Sequence, residues 1–198
     1  AEYFQPKYVN LIQYLVNNWR TITLSEVGQV TSGKTPSYTN AGVGVIRSGD
    51  LSDITDLSDL KYAHPDQNLF YLESGDVCIS SIGFGSIGKV QVFDLEERFA
   101  TVSEVTVIRQ DVLNPYYLQV FLQSRAGQLQ IERQIVGATG QLHLYPSHVE
   151  KIVIPILPDE VQLEIESLIK TSRQAKLNAE GVLQDAVTRV EQLIMGSE

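Results

Sequence analysis

Cysteine is nearly missing from this sequence: Cys78 is the only one in 198 residues. A disulfide framework is therefore excluded, and a reducing cytoplasm is the expected setting. No apolar run approaches the roughly 18 residues of a membrane span, and no basic-plus-apolar leader precedes the first element. The chain starts at Ala1 rather than Met, which fits a piece of something longer. Basic residues are scarce as well, with Lys+Arg 15 against Asp+Glu 24 and a formal charge of -9. The deficit is spread along the chain, since residues 1–150 hold 10 basic and 16 acidic side chains. Charge alone thus disfavours nucleic acid as a partner, because counterion release needs a basic surface. What is present is 43% hydrophobic content, enough for one substantial domain with a real core plus an appendage.

Proline is also missing from Asp159 to Met195, and Gly181 is the only glycine there. That stretch predicts a single long helix, at about 1.5 Å per residue some 55 Å from end to end. One stripe runs Ile165, Leu168, Ser172, Ala175, Ala179, Val182 and Ala186, three and four residues apart in alternation. This is the heptad seam of a coiled coil, and Ile169, Leu183, Val187, Val190 and Ile194 widen it. Gly181 weakens such a rod by about 1 kcal/mol relative to alanine, which packing against a partner must offset. The competing reading is a terminal helix that lies down on its own domain.

The remainder reads as an α+β body rich in strands. Residues 3–19 repeat apolar side chains at helical spacing. Thr23, followed three residues on by Glu26, has the pattern of a capping box. Strand-like alternation occupies 43–47, 76–82, 88–93 and the long run 100–109, with polar, glycine-bearing loops at 31–44, 50–68, 83–88 and 137–147. Pro115 opens a helix over 116–125, a second helix follows over 127–135, and a strand returns over 148–154. No internal repeat is visible. The domain boundary falls between 1–157, the β-rich body with its short helices, and 158–198, the long helix.

Several motifs resemble chemistry and lack its context. Gly28 to Thr35 spells the phosphate-loop pattern GxxxxGK[ST], whose backbone amides cradle phosphate where a helix begins. Here Pro36-Ser-Tyr-Thr-Asn follows, which is loop composition, and no later strand supplies an aspartate for magnesium. Gly83-Phe-Gly85-Ser-Ile-Gly88 matches the dinucleotide fingerprint, but a strand, Lys89 to Phe93, follows instead of the required helix. A glycine-rich hairpin is the better reading. Asn114-Pro115-Tyr-Tyr117 lacks the second proline of the amino-methyltransferase motif, and Asn114 suits a helix cap. Asp50, Asp53, Asp56 and Asp59 lack the order of a calcium loop. His64, His143, His148 and Cys78 are too scattered for zinc. Ser80 and Ser81 have no base nearby in sequence. No catalytic set, metal site or cofactor site emerges, so the expected class is a non-enzymatic one.

The order of the pieces, from Trp19 to Ile194, resembles the specificity subunit of type I restriction-modification systems. Six short segments carry the resemblance. They are Leu24 to Pro36 with its Gly33-Lys-Thr35-Pro36 opening, Val45-Ile46-Arg47-Ser-Gly-Asp50-Leu51, Gly75-Asp76-Val-Cys-Ile-Ser, Gly88-Lys89-Val, Gly137-Ala-Thr139-Gly140, and Ile154-Pro155-Ile-Leu-Pro158-Asp-Glu160-Val-Gln162. In the family Glu and Gln are often adjacent before the helix; here Val161 separates them. The resemblance implies one target-recognition domain that reads a DNA half-site and one spacer helix, where complete subunits carry two of each. Either the helix pairs with its own copy and imposes a palindromic, split site, or the second half lies elsewhere.

The same resemblance implies partners: double-stranded DNA, methyltransferase subunits docked on the rod, and in some systems a restriction or translocase subunit. Candidate DNA contacts on the polar loops are Lys34, Thr35, Tyr38, Arg47, Ser81, Ser86, Lys89, Thr139, Gln141, His143 and Tyr145. The seam from Ile165 to Ala186 is the expected pairing surface. Two other readings compete: a phosphate-loop nucleotide-binding protein built on Gly28 to Thr35, and an adaptor that uses the helix only to oligomerise.

Overall fold

The computed structural model describes residues 5–52, 57–65, 67–83, 85–137 and 142–196. An N-terminal helix α1 (Pro6–Asn18) leads into strand β1 (Thr21–Thr23), helix α2 (Leu24–Val27) and strand β2 (Gly28–Ser32). Strands β3 (Tyr38–Thr39), β4 (Val43–Ile46), β5 (Lys61–Ala63), β6 (Phe70–Tyr71), β7 (Val77–Ser80), β8 (Val90–Val92), β9 (Phe99–Thr101) and β10 (Val105–Gln110) follow, with a 3-10 turn at Asp50–Ser52. Helices α3 (Pro115–Gln123), α4 (Arg125–Gln134) and α5 (Pro146–Val149), strand β11 (Val153–Pro155) and helix α6 (Asp159–Met195) complete the chain. The fold is α+β, as the sequence predicts.

The described residues form three sheets: β2-β10-β7-β8, β3-β5-β4-β9-β6, and the pair β1-β11. The first divides two hydrophobic cores. On β10, Val105 and Val107 face the core shared with the five-stranded sheet, whereas Ile108 faces the helical side. On β7, Cys78 points to the former, and Val77 and Ile79 to the latter. Alternating side chains of a strand buried on both faces serve two cores at once. Cys78 is fully buried, and burial pushes its thiol well above the usual range. We expect a thiol reagent to titrate none in the folded chain and one after denaturation; a reactive native thiol would mean that this core opens readily.

The helical layer is stitched to the sheets by glutamines. Gln119 Oε1 accepts the Val92 N–H at 2.8 Å, and Gln123 Nε2 donates to Val90 O at 2.7 Å, so the outer edge of β8 is satisfied by α3. Gln130 does the same for β11, donating to Val153 O and accepting its N–H, both at 2.8 Å. Buried backbone groups need such partners wherever no strand is available. Arg109 on β10 ties the sheets together, reaching Asp76 at 2.7 Å, Glu73 at 2.6 Å and the carbonyl of Tyr71 on β6 at 3.0 Å.

The capping predictions hold. The Thr23 N–H donates to Glu26 Oε2 at 2.7 Å, and Asn114 Oδ1 accepts the amides of Tyr116 and Tyr117. The run 100–109 is not one strand: β9 ends at Thr101 and β10 begins at Val105, and the two lie in different sheets. Ser103 and Glu104 interrupt the apolar alternation, and the Val105 N–H turns back onto Val102 O at 3.1 Å. Residues 148–154 likewise divide, because Pro146 starts the short helix α5 before β11 forms.

Helix α6 has two parts. Its first turns pack on the body through Gln162, which is buried, and through Ile165 and Ile169. The Gln162 carboxamide accepts the Asn114 N–H at 2.9 Å and donates to Leu157 O at 2.8 Å. Glu166 bonds Asn114 Nδ2 and Lys170, each at 2.5 Å, and these partners hold its carboxyl below the usual range, Lys170 most strongly. Arg173 pairs with Asp94. From Gln174 to Gly196 every residue is exposed. At about 1.5 Å per residue this free part extends roughly 33 Å.

Candidate functional site

The strand register collects the predicted loops. Thr106 pairs with Ser32, and Val105 with Ser80, so the exit of β2, the exit of β7 and the entry of β10 share one end of the four-stranded sheet. At that end the Gly33 N–H donates to Val105 O and the Lys34 N–H to Thr101 O, each at 3.0 Å. Thr35 Oγ1 lies 2.7 Å from Ser103 Oγ and donates to Glu104 Oε2 at 3.0 Å. A Cβ on Gly33 would stand 2.4 Å from Val102 O and 2.8 Å from Thr101 O, so only glycine permits this approach.

The segment after α4 joins the same end. The Leu144 N–H donates to Ser81 O at 2.9 Å, and His143 forms single bridges with Ile82 and Val136. The His143 ring stacks on Tyr145, centroids 5.7 Å apart and planes 6° apart, while His148 meets Tyr145 edge-on at 5.6 Å. Tyr145 keeps 50% of its surface exposed, so the stack presents one open aromatic face.

The five-stranded sheet brings up the remaining candidates. Thr101 Oγ1 donates to Ile46 O at 2.8 Å, which places Arg47 beside the 33–35 segment. Tyr38 is 49% exposed; burial of the rest, then the Glu104 carboxylate, raises the pKa of its phenol. Lys89 Nζ crosses to Ser52 Oγ at 2.8 Å.

Position sorts these side chains by what they can do. Lys34, Tyr38 and Tyr145 are exposed, with Lys89 and His143 partly so, and all offer groups to an incoming surface. Arg47 is engaged: it forks onto Asp50 at 3.0 and 3.1 Å and reaches Asp59 at 3.3 Å, and these carboxylates hold its guanidinium charged. Ser81 is 4% exposed, with its hydroxyl 2.5 Å from Thr106 Oγ1, so it supports the sheet from within. Ser86 Oγ donates to Ile82 O at 3.0 Å and shapes its own hairpin. Thr139 and Gln141 lie outside the described residues, as do Asp53 and Asp56. The sequence reading missed Ser103 and Glu104, which close on Thr35; the polar pair inside a run of β-formers was the available signal.

The phosphate-loop reading is overturned. Gly28–Ser32 is an extended strand whose residues pair with β10, and no helix follows Thr35. Backbone amides committed to a ladder cannot ring a phosphate. The second glycine motif is a hairpin loop between β7 and β8. Among the described residues no three His, Cys, Asp or Glu side chains gather to hold a metal ion, and no helix is long and apolar enough to cross a membrane.

The candidate pairing surface lies at the opposite end of the body. Gln110 pairs with Gly28 and Val92 with Val77, so Asn114 and Asp94, which anchor α6, sit beyond the far end of the four-stranded sheet. Of the predicted seam Ile165 packs on the body, as does Ile169 of the line that widens it; Leu168, Ser172, Ala175, Ala179, Val182 and Ala186 are exposed. At roughly 100° per residue, the stripe through Leu168 and Ala179 lies about a third of a turn from the face carrying Gln162 and Arg173. The helix therefore uses one face for its own body and leaves the adjacent apolar face clear.

Residues 17–183 match the sequence model of the type I restriction modification DNA specificity domain. No curated protein matches the chain. Among solved structures, the S subunit of a type-I restriction-modification system from M. genitalium is similar at a TM-score of 0.62 and 17% identity, over 88% of this chain and 44% of that one. A chain from a study of complex assembly and conformational transition in a type I R-M system gives 0.57 and 19%, over 95% and 51%. The HsdS subunit from Thermoanaerobacter tengcongensis gives 0.54 and 19%, over 94% and 49%. The chain thus spans about half the length of the solved chains it matches.

Proposed function

The chain belongs to the type I restriction modification DNA specificity domain family, and on that premise we propose that it reads one half-site of a split duplex target. The observation that carries this reading is the gathering of Lys34, Lys89, His143 and Tyr145 on loops at one end of the four-stranded sheet, with Tyr38 of β3 close to Glu104 and Arg47. Such loops offer hydrogen-bonding tips and an aromatic face to base edges and phosphates. The rod is anchored at the other end, so partners on it leave the loops clear.

Specificity then resides here, and the methyl transfer belongs to partner subunits docked on α6. A second copy pairs through the exposed stripe from Leu168 to Ala186, giving two heads and a split, palindromic site. The charge of -9 and the pairing of Arg47 with two carboxylates imply weak binding by the isolated chain. Few free cations release few counterions, so partners complete the grip.

The test is an exchange of residues 31–147 for those of a relative with a different target, followed by methylation mapping of the reconstituted complex. The methylated half-site is expected to change to the donor's. An unchanged site would assign specificity elsewhere, and a complex that never retains DNA would favour the adaptor reading.

A further inference from the structure

Arg173, part-buried near the base of α6, pairs with Asp94 of the body, and from Gln174 onward every described residue of the helix is exposed. The contact is unusually polar for a helix base. Asp94, just past the end of β8, receives both the Arg173 guanidinium and the Tyr116 hydroxyl, the latter at 2.8 Å. The guanidinium also lies over the Tyr116 ring, 5.5 Å from its centroid, and Lys170 lies over the same ring at 5.1 Å. Both members of the ion pair are mostly shielded, with side-chain exposures of 19% and 25%. Nearer the helix start, Ile165 and Ile169 provide apolar contact and Gln162 and Glu166 bond Asn114, which pins that end and makes Arg173 the second fixed point along the axis.

We propose that the Arg173–Asp94 pair, seated on Tyr116, is the positioning latch that fixes the angle at which the rod leaves the body. Apolar side chains slide with little directional preference, whereas a charge-assisted hydrogen bond to a carboxylate, with the second guanidinium nitrogen 3.4 Å from Gln119 Oε1, has a preferred direction. Leverage makes the angle matter. A tilt of about 10° at Arg173 moves the tip of a 33 Å rod by roughly 6 Å, close to two base-pair steps. In a pair of heads joined by their rods, the latch therefore sets which gap between half-sites both heads can reach. This last step rests on the half-site reading above; the latch itself does not.

Two arms of one experiment separate them. Spin labels on S25C and T188C report the distance from body to rod in the full chain, diluted into excess unlabelled chain. The chain's own thiol is buried and stays silent. Asp94→Asn and Arg173→Gln should each broaden the distance distribution about twofold, and the double variant should be no broader than either single one. Neither residue belongs to a hydrophobic core, and unchanged thermal melting of the body verifies the fold. A distribution as narrow as that of the parent chain in both variants would overturn the latch. The second arm measures binding of the complex with methyltransferase subunits to duplexes whose half-site gap varies by single base pairs. Preference for the best gap over its neighbours should fall about tenfold in either variant. Broadened distances with an intact gap preference would overturn the link from angle to spacing. A parent complex with no gap preference would instead sink the half-site reading and leave the latch to the first arm.

Discussion

Val182→Asp is expected to leave the body folded and to abolish pairing of the chain. Val182 is 70% exposed in the single chain and touches nothing in the body, so the substitution costs the monomer almost nothing. In a two-fold pair the same carboxylate is buried twice, against Ala179 and Ala186 of the opposing seam or their neighbours. Burial of an unpaired charge costs several kcal/mol. At about 2–3 kcal/mol per helix, the dimer loses roughly 5 kcal/mol, a weakening of more than three orders of magnitude. Sedimentation equilibrium should show a monomer at concentrations where the parent chain pairs, and split-site methylation should vanish with it. A parent chain that is itself monomeric, or a variant of unchanged mass, would remove the seam from the account. Ala179→Glu offers a second probe one turn away.

The second large effect is expected at Gly33. A valine there drives its Cβ into Val102 O and Thr101 O, neither of which is a flexible side-chain tip. The 33–35 segment must lift away, losing the Gly33 and Lys34 amide bonds to Val105 and Thr101 and parting Thr35 from Ser103. Overpacking of this kind costs about 1–3 kcal/mol, and denaturant midpoints should fall accordingly. The loss in recognition should be larger than the loss in stability, because the displaced residues lie amid the loops proposed to read the half-site: binding by the complex should drop at least about tenfold. Gly49→Ala is the control, since a Cβ there meets nothing within 4 Å and should change stability by less than about 0.5 kcal/mol. Equal effects from the two substitutions would show that Gly33 has no special packing role.

The contrast between these two sites marks what the sequence makes legible. The long helix was visible because its stripe repeats over many turns and no proline interrupts it. The caps at Thr23 and Asn114 were visible because their chemistry is local. Strand β2 was not, for the letters of Gly28 to Thr35 fit a phosphate loop, and only pairing with the distant β10 makes them a strand. The break at Ser103 and Glu104 was hidden by the β-formers on either side. Ser81 and Arg47 had the chemistry of contact residues, yet tertiary packing buries the first and gives the second two carboxylates. Side-chain type is local information; whether a group is free is not.

The glutamines on α3 and α4 have a consequence for how copies of this chain can meet. Open sheet margins invite a foreign strand to add on, the usual route to indiscriminate clumping. Here Gln119 and Gln123 bond the Val92 N–H and the Val90 carbonyl on the outer rim of β8, and Gln130 bonds both backbone groups of Val153 on β11, so helices lie where a visiting strand would add. β8 itself carries neither charge nor proline, and α3 supplies its cover. The exposed stripe of α6 is the surface proposed to pair, and a helix seam of that kind accepts a partner helix in a defined register.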